Sequence, residues 1–342
     1  LGPNAVGPSD WPPWEAVKII GKLGRQARWQ DALALFWLHR NMDYDTRVWN
    51  ALISACARGQ QSWQAAVGLL ECLEGDPYCD ADLFSYNAML AALLSAWQID
   101  SAVALLRDLP SRQFHPDTCS YNTVMGALAK QPKYCSTVLS MLEECGNGPG
   151  QNARSYNIAI SACSRASQWE KAIDLLEVMQ SARYQPDAYS YTSAISGCKD
   201  SSVQAAELLR TMQRSRLQAS IVTYGAVISA AASCGDWKDA ILLLEEAKNQ
   251  QLEATTIAVN AVIDSCEKGA RWDLALQLLQ NMSDEKIARS TSSYNSALCA
   301  CGACRRWQRS AGLLDAMAAD SCTPDIVSFN GVISACVRGQ AW

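Results

Sequence analysis

ARSYNIAISACSRASQWEKAIDLLEVMQSARYQPD, residues 153–187, is the stretch that decides how the whole chain folds. Its first part sets Tyr156, Ile160 and Cys163 at helical spacing, and its second sets Trp169, Ala172, Ile173, Leu176 and Met179 on one stripe. The stretch therefore reads as two amphipathic helices. Pro186-Asp187 closes it, because Pro cannot continue the preceding helix and Asp can cap the next one.

The same unit recurs along the chain. Aromatic-Asn dipeptides stand at Trp49-Asn50, Tyr86-Asn87, Tyr121-Asn122, Tyr156-Asn157, Tyr294-Asn295 and Phe329-Asn330, with Tyr191-Thr192, Tyr224-Gly225 and Val259-Asn260 filling the gaps. From Tyr86 to Val259 the successive spacings are 35, 35, 35, 33 and 35 residues, a periodicity that chance does not produce. The repeats are 13–45, 46–82, 83–117, 118–152, 153–187, 188–220, 221–255, 256–290 and 291–325, with a partial one at 326–342. Residues 1–12, rich in Gly and Pro, precede the array as an irregular segment. An Ile or Leu column (Ile20, Ile53, Leu90, Ile160, Ile195, Ile228, Ile263, Leu298, Ile333) lines the first helices, and Trp29, Trp169, Trp237, Trp272, Trp307 and Trp342 open second helices, where packing is their expected role. A two-helix unit cannot cover its own apolar stripe, so neighbours must stack and share a core. The expected fold is all-α, a right-handed superhelical solenoid whose concave face is the functional surface.

Hydrophobic residues make up 49% of the 342-residue chain and charged residues 18%, enough to bury a core, and no apolar run is long enough for a membrane span. Fifteen cysteines would suggest a disulfide scaffold in a short secreted chain. Here Cys56, Cys163, Cys198, Cys266, Cys301 and Cys336 share one column, where a reduced Cys serves as a small apolar side chain. Cys299, Cys301 and Cys304 lack the further ligands a zinc site needs, since the two histidines, His39 and His115, lie far away in the array. Neither the His-x-Glu and Pro-Cys-x-x-Cys signature of nucleic-acid deaminases nor a Gly-rich phosphate loop is present. No catalytic activity, metal or cofactor is expected. The net charge of −5 runs against a nucleic-acid ligand, but acidic residues crowd segments such as Glu170 to Glu177 and Glu245 to Glu246, assigned to outer helices. The start at Leu1 shows no transit-peptide pattern, and the stop at Trp342 within a repeat is expected to mark a fragment of a longer protein.

Thr/Ser-Tyr-Asn opening the first helix, an Ala and paired Leu in the second, a Met near its end and a closing Pro-Asp form a pattern that resembles the pentatricopeptide repeat (PPR) family of the uniform, P-type class. Repeat 153–187 carries it throughout, in Ser155-Tyr156-Asn157, Ala172, Leu175-Leu176, Met179 and Pro186-Asp187, and the resemblance extends over residues 13–342. Tetratricopeptide units, which bind peptides, place a Trp and a Leu-Gly pair in the first helix, an order absent here.

The resemblance implies that single-stranded RNA is the partner and that each repeat reads one base with the residue after the Tyr and the closing residue. Asn50 with Asp82, Asn87 with Asp117, Asn157 with Asp187 and Asn295 with Asp325 are the implied uracil readers. Asn122 with Asn152 and Asn260 with Ser290 are implied for cytosine or either pyrimidine, and Thr192 with Ser220 for adenine. Asn330 holds the reading position of the last, partial repeat. Val17 with Asp45 and Gly225 with Thr255 depart from the pattern and are assigned no base. The bases would be flanked by Arg47, Phe84, Cys119, Arg154, Tyr189, Val222, Ile257, Ser292 and Val327, two residues before each Tyr or its equivalent. The implied target is pyrimidine-rich, and by resemblance the protein acts in a chloroplast or mitochondrion, in RNA processing, stabilisation or translation. Protein partners through further terminal segments are compatible with this. The alternative, favoured by the acidic charge, is a peptide- or protein-binding scaffold.

Overall fold

First helices begin at Pro13, Thr46, Leu83, Thr118, Ala153, Ala188, Ile221, Thr256, Thr291 and Ile326, each on the residue that opens a repeat. The computed structural model describes residues 13–38, 45–57, 59, 62–76, 78–285, 287–320 and 322–340. The irregular segment expected over residues 1–12 lies outside these, as do His39 and Trp342. Among the described residues there are nineteen α-helices, two short 3-10 turns and no strands, an all-α helical-repeat solenoid. No described helix is long and apolar enough to cross a membrane.

The chain divides into two compact halves, residues 1–162 and 163–342. In the first, α1 (Pro13–Arg25), α3 (Thr46–Cys56), α5 (Leu83–Ser95) and α7 (Thr118–Leu128) pack on one another in series. Their second helices, α2 (Trp29–Leu38), α4 (Trp63–Glu74) and α6 (Ile99–Asp108), each lie against their own first helix and the next one, and α8 (Cys135–Asn147) lies against α7. The helix α9 (Ala153–Arg165) carries the division between the halves. The second half repeats the scheme. There α11 (Ala188–Gly197), α13 (Ile221–Cys234), α15 (Thr256–Lys268), α17 (Thr291–Ala303) and α19 (Ile326–Arg338) stack directly. Their outer partners are α10 (Trp169–Ser181), α12 (Ser202–Arg214), α14 (Trp237–Asn249), α16 (Trp272–Asp284) and α18 (Trp307–Ala319). The acidic segments expected on outer helices fall on α10 and α14.

The columns read from the sequence are the core, except in α19, where Ile333 is exposed and Cys336 half-buried. Ile53, Leu90, Ile160, Ile195, Ile228, Ile263 and Leu298 are fully buried, and so are Cys163, Cys198, Cys266 and Cys301. Close approach of neighbouring first helices explains the small residues among them. A Cβ on Gly24 would stand 2.8 Å from the Cβ of Ala55, and one on Gly197 would stand 2.9 Å from the Cα of Ser164.

Between first and second helices one residue turns left-handed: Ala27, Trp97, Ser167, Gly235, Ala270 and Arg305, with φ between 52° and 83°. The residue after it sends its N–H back to the carbonyl of the Cys column, as in Gln168 to Cys163 (2.9 Å), Arg271 to Cys266 (2.8 Å) and Arg306 to Cys301 (3.0 Å). These are Schellman closures, which satisfy carbonyls the helix end would otherwise leave unpaired.

The tryptophans that open second helices pack as expected, with a difference. They are half exposed, and three of them rest on a glycine near the end of a neighbouring first helix: Trp29 on Gly59, Trp237 on Gly269 and Trp307 on Gly339. The Arg271 guanidinium lies over Trp237 at 4.7 Å and Arg306 over Trp272 at 5.0 Å, so their outer faces carry cations instead of core.

Candidate nucleic-acid interface

Each closing residue starts a helix. Asp82 has extended backbone (φ −114°, ψ 171°), and its Oδ1 accepts the N–H of Ser85 at 2.8 Å while the Ser85 hydroxyl accepts the Asp82 N–H at 3.2 Å. The same reciprocal capping box joins Asp117 to Ser120, Asp187 to Ser190, Ser220 to Thr223, Ser290 to Ser293 and Asp325 to Ser328. Asn152 accepts the Ser155 N–H at 2.9 Å, and Thr255 accepts that of Ala258 at 3.3 Å. Each cap contributes about 1 kcal/mol. The closing column thus has a structural task from Asp82 to Asp325, whatever else it does, whereas Asp45 opens α3 without a side-chain capping bond.

The residue after the Tyr meets that cap. Asn50 donates from Nδ2 to Asp82 Oδ1 at 3.1 Å, and Asn295 donates to both oxygens of Asp325 at 3.1 and 3.3 Å. Asn122 donates to Asn152 Oδ1 at 3.3 Å, and the Asn87 amide helps to stabilise the charge of the Asp117 carboxylate. In the pairs Asn50 with Asp82, Asn122 with Asn152 and Asn295 with Asp325, the two members, 30–32 residues apart in sequence, are therefore neighbours in space.

A third residue, not singled out from the sequence, completes the contact. The hydroxyl of Ser85 donates to Asn50 Oδ1, Ser120 to Asn87 Oδ1 and Ser328 to Asn295 Oδ1, each at 2.6 Å. In the repeat built on Thr192, the Thr192 and Thr223 hydroxyls lie 2.8 Å apart. Ser85, Ser120, Ser155, Ser293 and Ser328 are fully buried. The signal was present as a Ser or Thr immediately before most of the aromatic column, but its meaning is a contact made to the preceding repeat.

The remaining candidates are placed less uniformly. Asn50 and Asn122 are buried, at 9% and 6% exposure, so only an edge of each amide faces solvent, whereas Asn87, Asn157, Asn260 and Asn295 are half buried. Asn330 is exposed on α19. Asn157 stands on α9 in the first half and Asp187 caps α11 in the second. The repeat with Gly225, Thr255 and Ala258 offers no amide or carboxylate at any of the three places.

The charge of the caps is fixed. Burial pushes the Asp117 carboxyl up, but the backbone N–H and hydroxyl of Ser120 and the amide of Asn87 outweigh it and hold the group below its usual value. The Ser328 backbone N–H, then its hydroxyl and the Asn295 amide, do the same for Asp325. Both stay anionic at neutral pH, as acceptors only.

Beside the reading pairs runs a row of side chains that find no core. Phe84 is 69% exposed in the first half; Tyr189, Val222, Ile257 and Val327 are 58%, 66%, 77% and 53% exposed in the second. Arg47, Cys119, Arg154 and Ser292 hold the same place and are exposed too. Large apolar groups repeated at one exposed position of a stacked array are unfavourable in water unless something covers them. Among the described residues no group of three or more His, Cys, Asp and Glu side chains is arranged to hold a metal.

The sequence matches family models described as "PPR repeat family" over residues 81–130 and 151–200, "Pentatricopeptide repeat domain" over 207–269 and 277–339, and "PPR repeat" over 257–287, together about two thirds of its length. A chloroplastic pentatricopeptide repeat-containing protein of Arabidopsis thaliana is 29% identical over 133 residues, 37% of this chain and 26% of that protein. The chloroplastic pentatricopeptide repeat-containing protein 10 of Zea mays is 27% identical over 150 residues, 42% of this chain and 18% of that protein. The chain thus matches about a quarter of the length of the first of these relatives and less than a fifth of the second. The crystal structure of PPR10 from maize superposes with a TM-score of 0.60 at 18% identity, over 94% of this chain and 51% of that one. PPR10 in complex with an 18-nt psaJ RNA element gives 0.51 at 15% identity, over 96% and 58%. Period, fold and these matches agree, and the chain belongs to the pentatricopeptide repeat family.

Proposed function

We propose that this chain binds single-stranded RNA in a sequence-specific way, one base per repeat. The observation that carries the reading is the polar pair repeated at one place in successive repeats, an amide held against an anionic or hydroxyl cap beside an exposed apolar side chain. An amide and a carboxylate offer complementary donors and acceptors to a base edge, and the neighbouring Phe84, Tyr189 or Arg154 offers a plane on which bases stack. Stacking of this kind contributes about 1–3 kcal/mol per base. RNA bound by a structural neighbour of the same fold and family supports the choice of ligand.

Under this reading the base-reading pairs are Asn50 with Asp82, Asn87 with Asp117, Asn122 with Asn152, Asn157 with Asp187, Thr192 with Ser220, Asn260 with Ser290, and Asn295 with Asp325. The favoured target runs, in repeat order from 13–45, as unassigned, U, U, C or U, U, a purine, unassigned, C or U, U. The negative net charge is no obstacle, because it gathers on outer helices such as α10 and α14 while α1, α9, α15 and α19 end in Arg or Lys. The chain acts as a P-type array without catalytic activity, in RNA processing, stabilisation or translation. Several relatives are named chloroplastic, which favours an organelle as the compartment.

Binding to a randomised single-stranded RNA pool at controlled salt, with sequencing of the bound fraction, tests this. Enrichment of a pyrimidine-rich register at one base per repeat is the expected result, and Asn87→Ala should weaken binding mainly for RNAs with uracil at the matched base. No retention of RNA even at low salt would overturn the proposal in favour of a protein-binding scaffold.

A further inference from the structure

Resting on that RNA reading, we propose that the buried hydroxyl residue three positions into each first helix is a specificity-determining residue for the repeat before it. Together with an Asp cap it fixes which way round the reading amide faces. An Asn side chain can turn by half a revolution with little change of shape, exchanging a donor for an acceptor at the base edge. Something must hold it for the position to discriminate.

In three repeats two contacts hold it. The Asp82, Asp117 and Asp325 carboxylates can only accept, so each draws in the NH2 end of its amide and repels the oxygen end. The oxygen end is then taken by the next repeat's Ser85, Ser120 or Ser328 hydroxyl at 2.6 Å. Each hydroxyl has one proton and two acceptors in reach, and the amide oxygen is the nearer: for Ser85, 2.6 Å against 2.9 Å to Asp82 Oδ1. The serine never needs to touch RNA; it is a positioning residue.

Two repeats show the contrary case. The Asn122 and Asn260 side-chain oxygens are buried without a hydrogen-bond partner. Their caps are Asn152 and Ser290, which can donate or accept and so tolerate either orientation. The Ser155 hydroxyl lies 3.0 Å from Asn152 Oδ1 and Ser293 lies 3.1 Å from the Ser290 hydroxyl, so both serve the cap and not the reader. Asn50, Asn87 and Asn295 are therefore locked readers that discriminate between pyrimidines, while Asn122 and Asn260 are turnable readers that accept both.

The full chain with Ser120→Ala, Ser120→Cys, Ser120→Thr or Ser155→Ala tests the assignment. RNAs from the selected register would differ only at the base matched to repeat 83–117, 118–152 or 291–325. Ser120→Ala should lower the uracil-over-cytosine preference at the 83–117 base about five-fold, the worth of one ordinary hydrogen bond. The preference at the 291–325 base should stay as in wild type. Ser120→Thr should retain the wild-type preference, and Ser120→Cys, nearly isosteric with serine and a weak donor, should fall between if Ser120→Ala does not fold. Ser155→Ala should leave the pyrimidine preference at the 118–152 base unchanged. Equal weakening of all four bases by the folded Ser120 variants, or an equal effect of Ser155→Ala on its own base, would overturn the proposal. Failure of the wild-type chain to retain any RNA would instead overturn the RNA reading, and this assignment with it.

Discussion

Replacing Tyr294 separates what its ring does from what its hydroxyl does. The ring is fully buried. The hydroxyl donates to Asp320 Oδ2 at 2.5 Å and accepts from Arg289 Nη1 at 3.0 Å, and Arg289 and Asp320 pair with each other at 3.0 Å. In Tyr294→Phe the ring stays, and the two charged partners keep each other and reach water, their side chains being 22% and 34% exposed. The loss should be about 1–2 kcal/mol, below the upper range for hydrogen bonds to charged groups because neither charge is stranded. Tyr294→Ala empties the ring site as well and should cost about 3–5 kcal/mol. Urea unfolding of the three chains at pH 7 measures both. Burial, reinforced by the bond to Asp320, pushes the Tyr294 hydroxyl up to about 12. Its stabilising share is complete below the free tyrosine value near pH ~10 and is lost as pH rises through about 12, so Tyr294→Phe should be less sensitive to alkali than wild type. Equal losses in the Phe and Ala variants, or no loss in the Phe variant, would refute this division of labour.

Three further outcomes follow from the same structure. Gly235 has φ +83°, and an added Cβ would meet Lys268 only at ordinary contact distance, so Gly235→Ala should cost about 1 kcal/mol of backbone strain, measured as a shift in the urea midpoint. The Cys56, Cys198 and Cys301 thiols are pushed up to about 11 by burial, so a thiol reagent at pH 8 should label exposed Cys72, Cys119 and Cys234 first and reach those three only on unfolding. Asp117, held below its free value, adds stability that is complete above about pH 4 and disappears as pH falls through its folded value. Asp117→Asn, which keeps a capping oxygen, should therefore flatten the acid limb of the stability curve.

The features legible in the sequence are those whose cause is local. A helical stripe, a Pro that stops a helix and a cap that starts one act over a few residues, so the first-helix starts at Leu83, Thr118 and Ile326 could be placed from Asp82, Asp117 and Asp325 alone. The Ile and Cys columns likewise announced the core. Ser120 was harder to interpret, because its hydroxyl serves Asn87, 33 residues earlier, and only proximity in space gives the pairing a meaning. The turn residues were hidden for another reason: Ala27, Trp97, Ser167, Ala270 and Arg305 take a left-handed conformation that only Gly235 advertises. Burial of Asn50 and Asn122 was equally out of reach, since how much of an amide remains exposed depends on how tightly the neighbouring helices close over it.

The polar triad does not coincide with the folding unit. Asn87 and Asp117 belong to one repeat, but the hydroxyl that holds the amide, Ser120, belongs to the next, and the first of the three letters in Ser85-Tyr86-Asn87 serves Asn50 behind it. Anyone transplanting specificity between arrays of this kind by exchanging residues 83–117 would move a reader without its holder and overwrite the holder of the reader upstream. A splice placed between the hydroxyl residue and the tyrosine, exchanging 86–120, carries Asn87, Asp117 and Ser120 as one piece. The seam for engineering thus lies three residues inside the helix, not in the loop where the eye would cut.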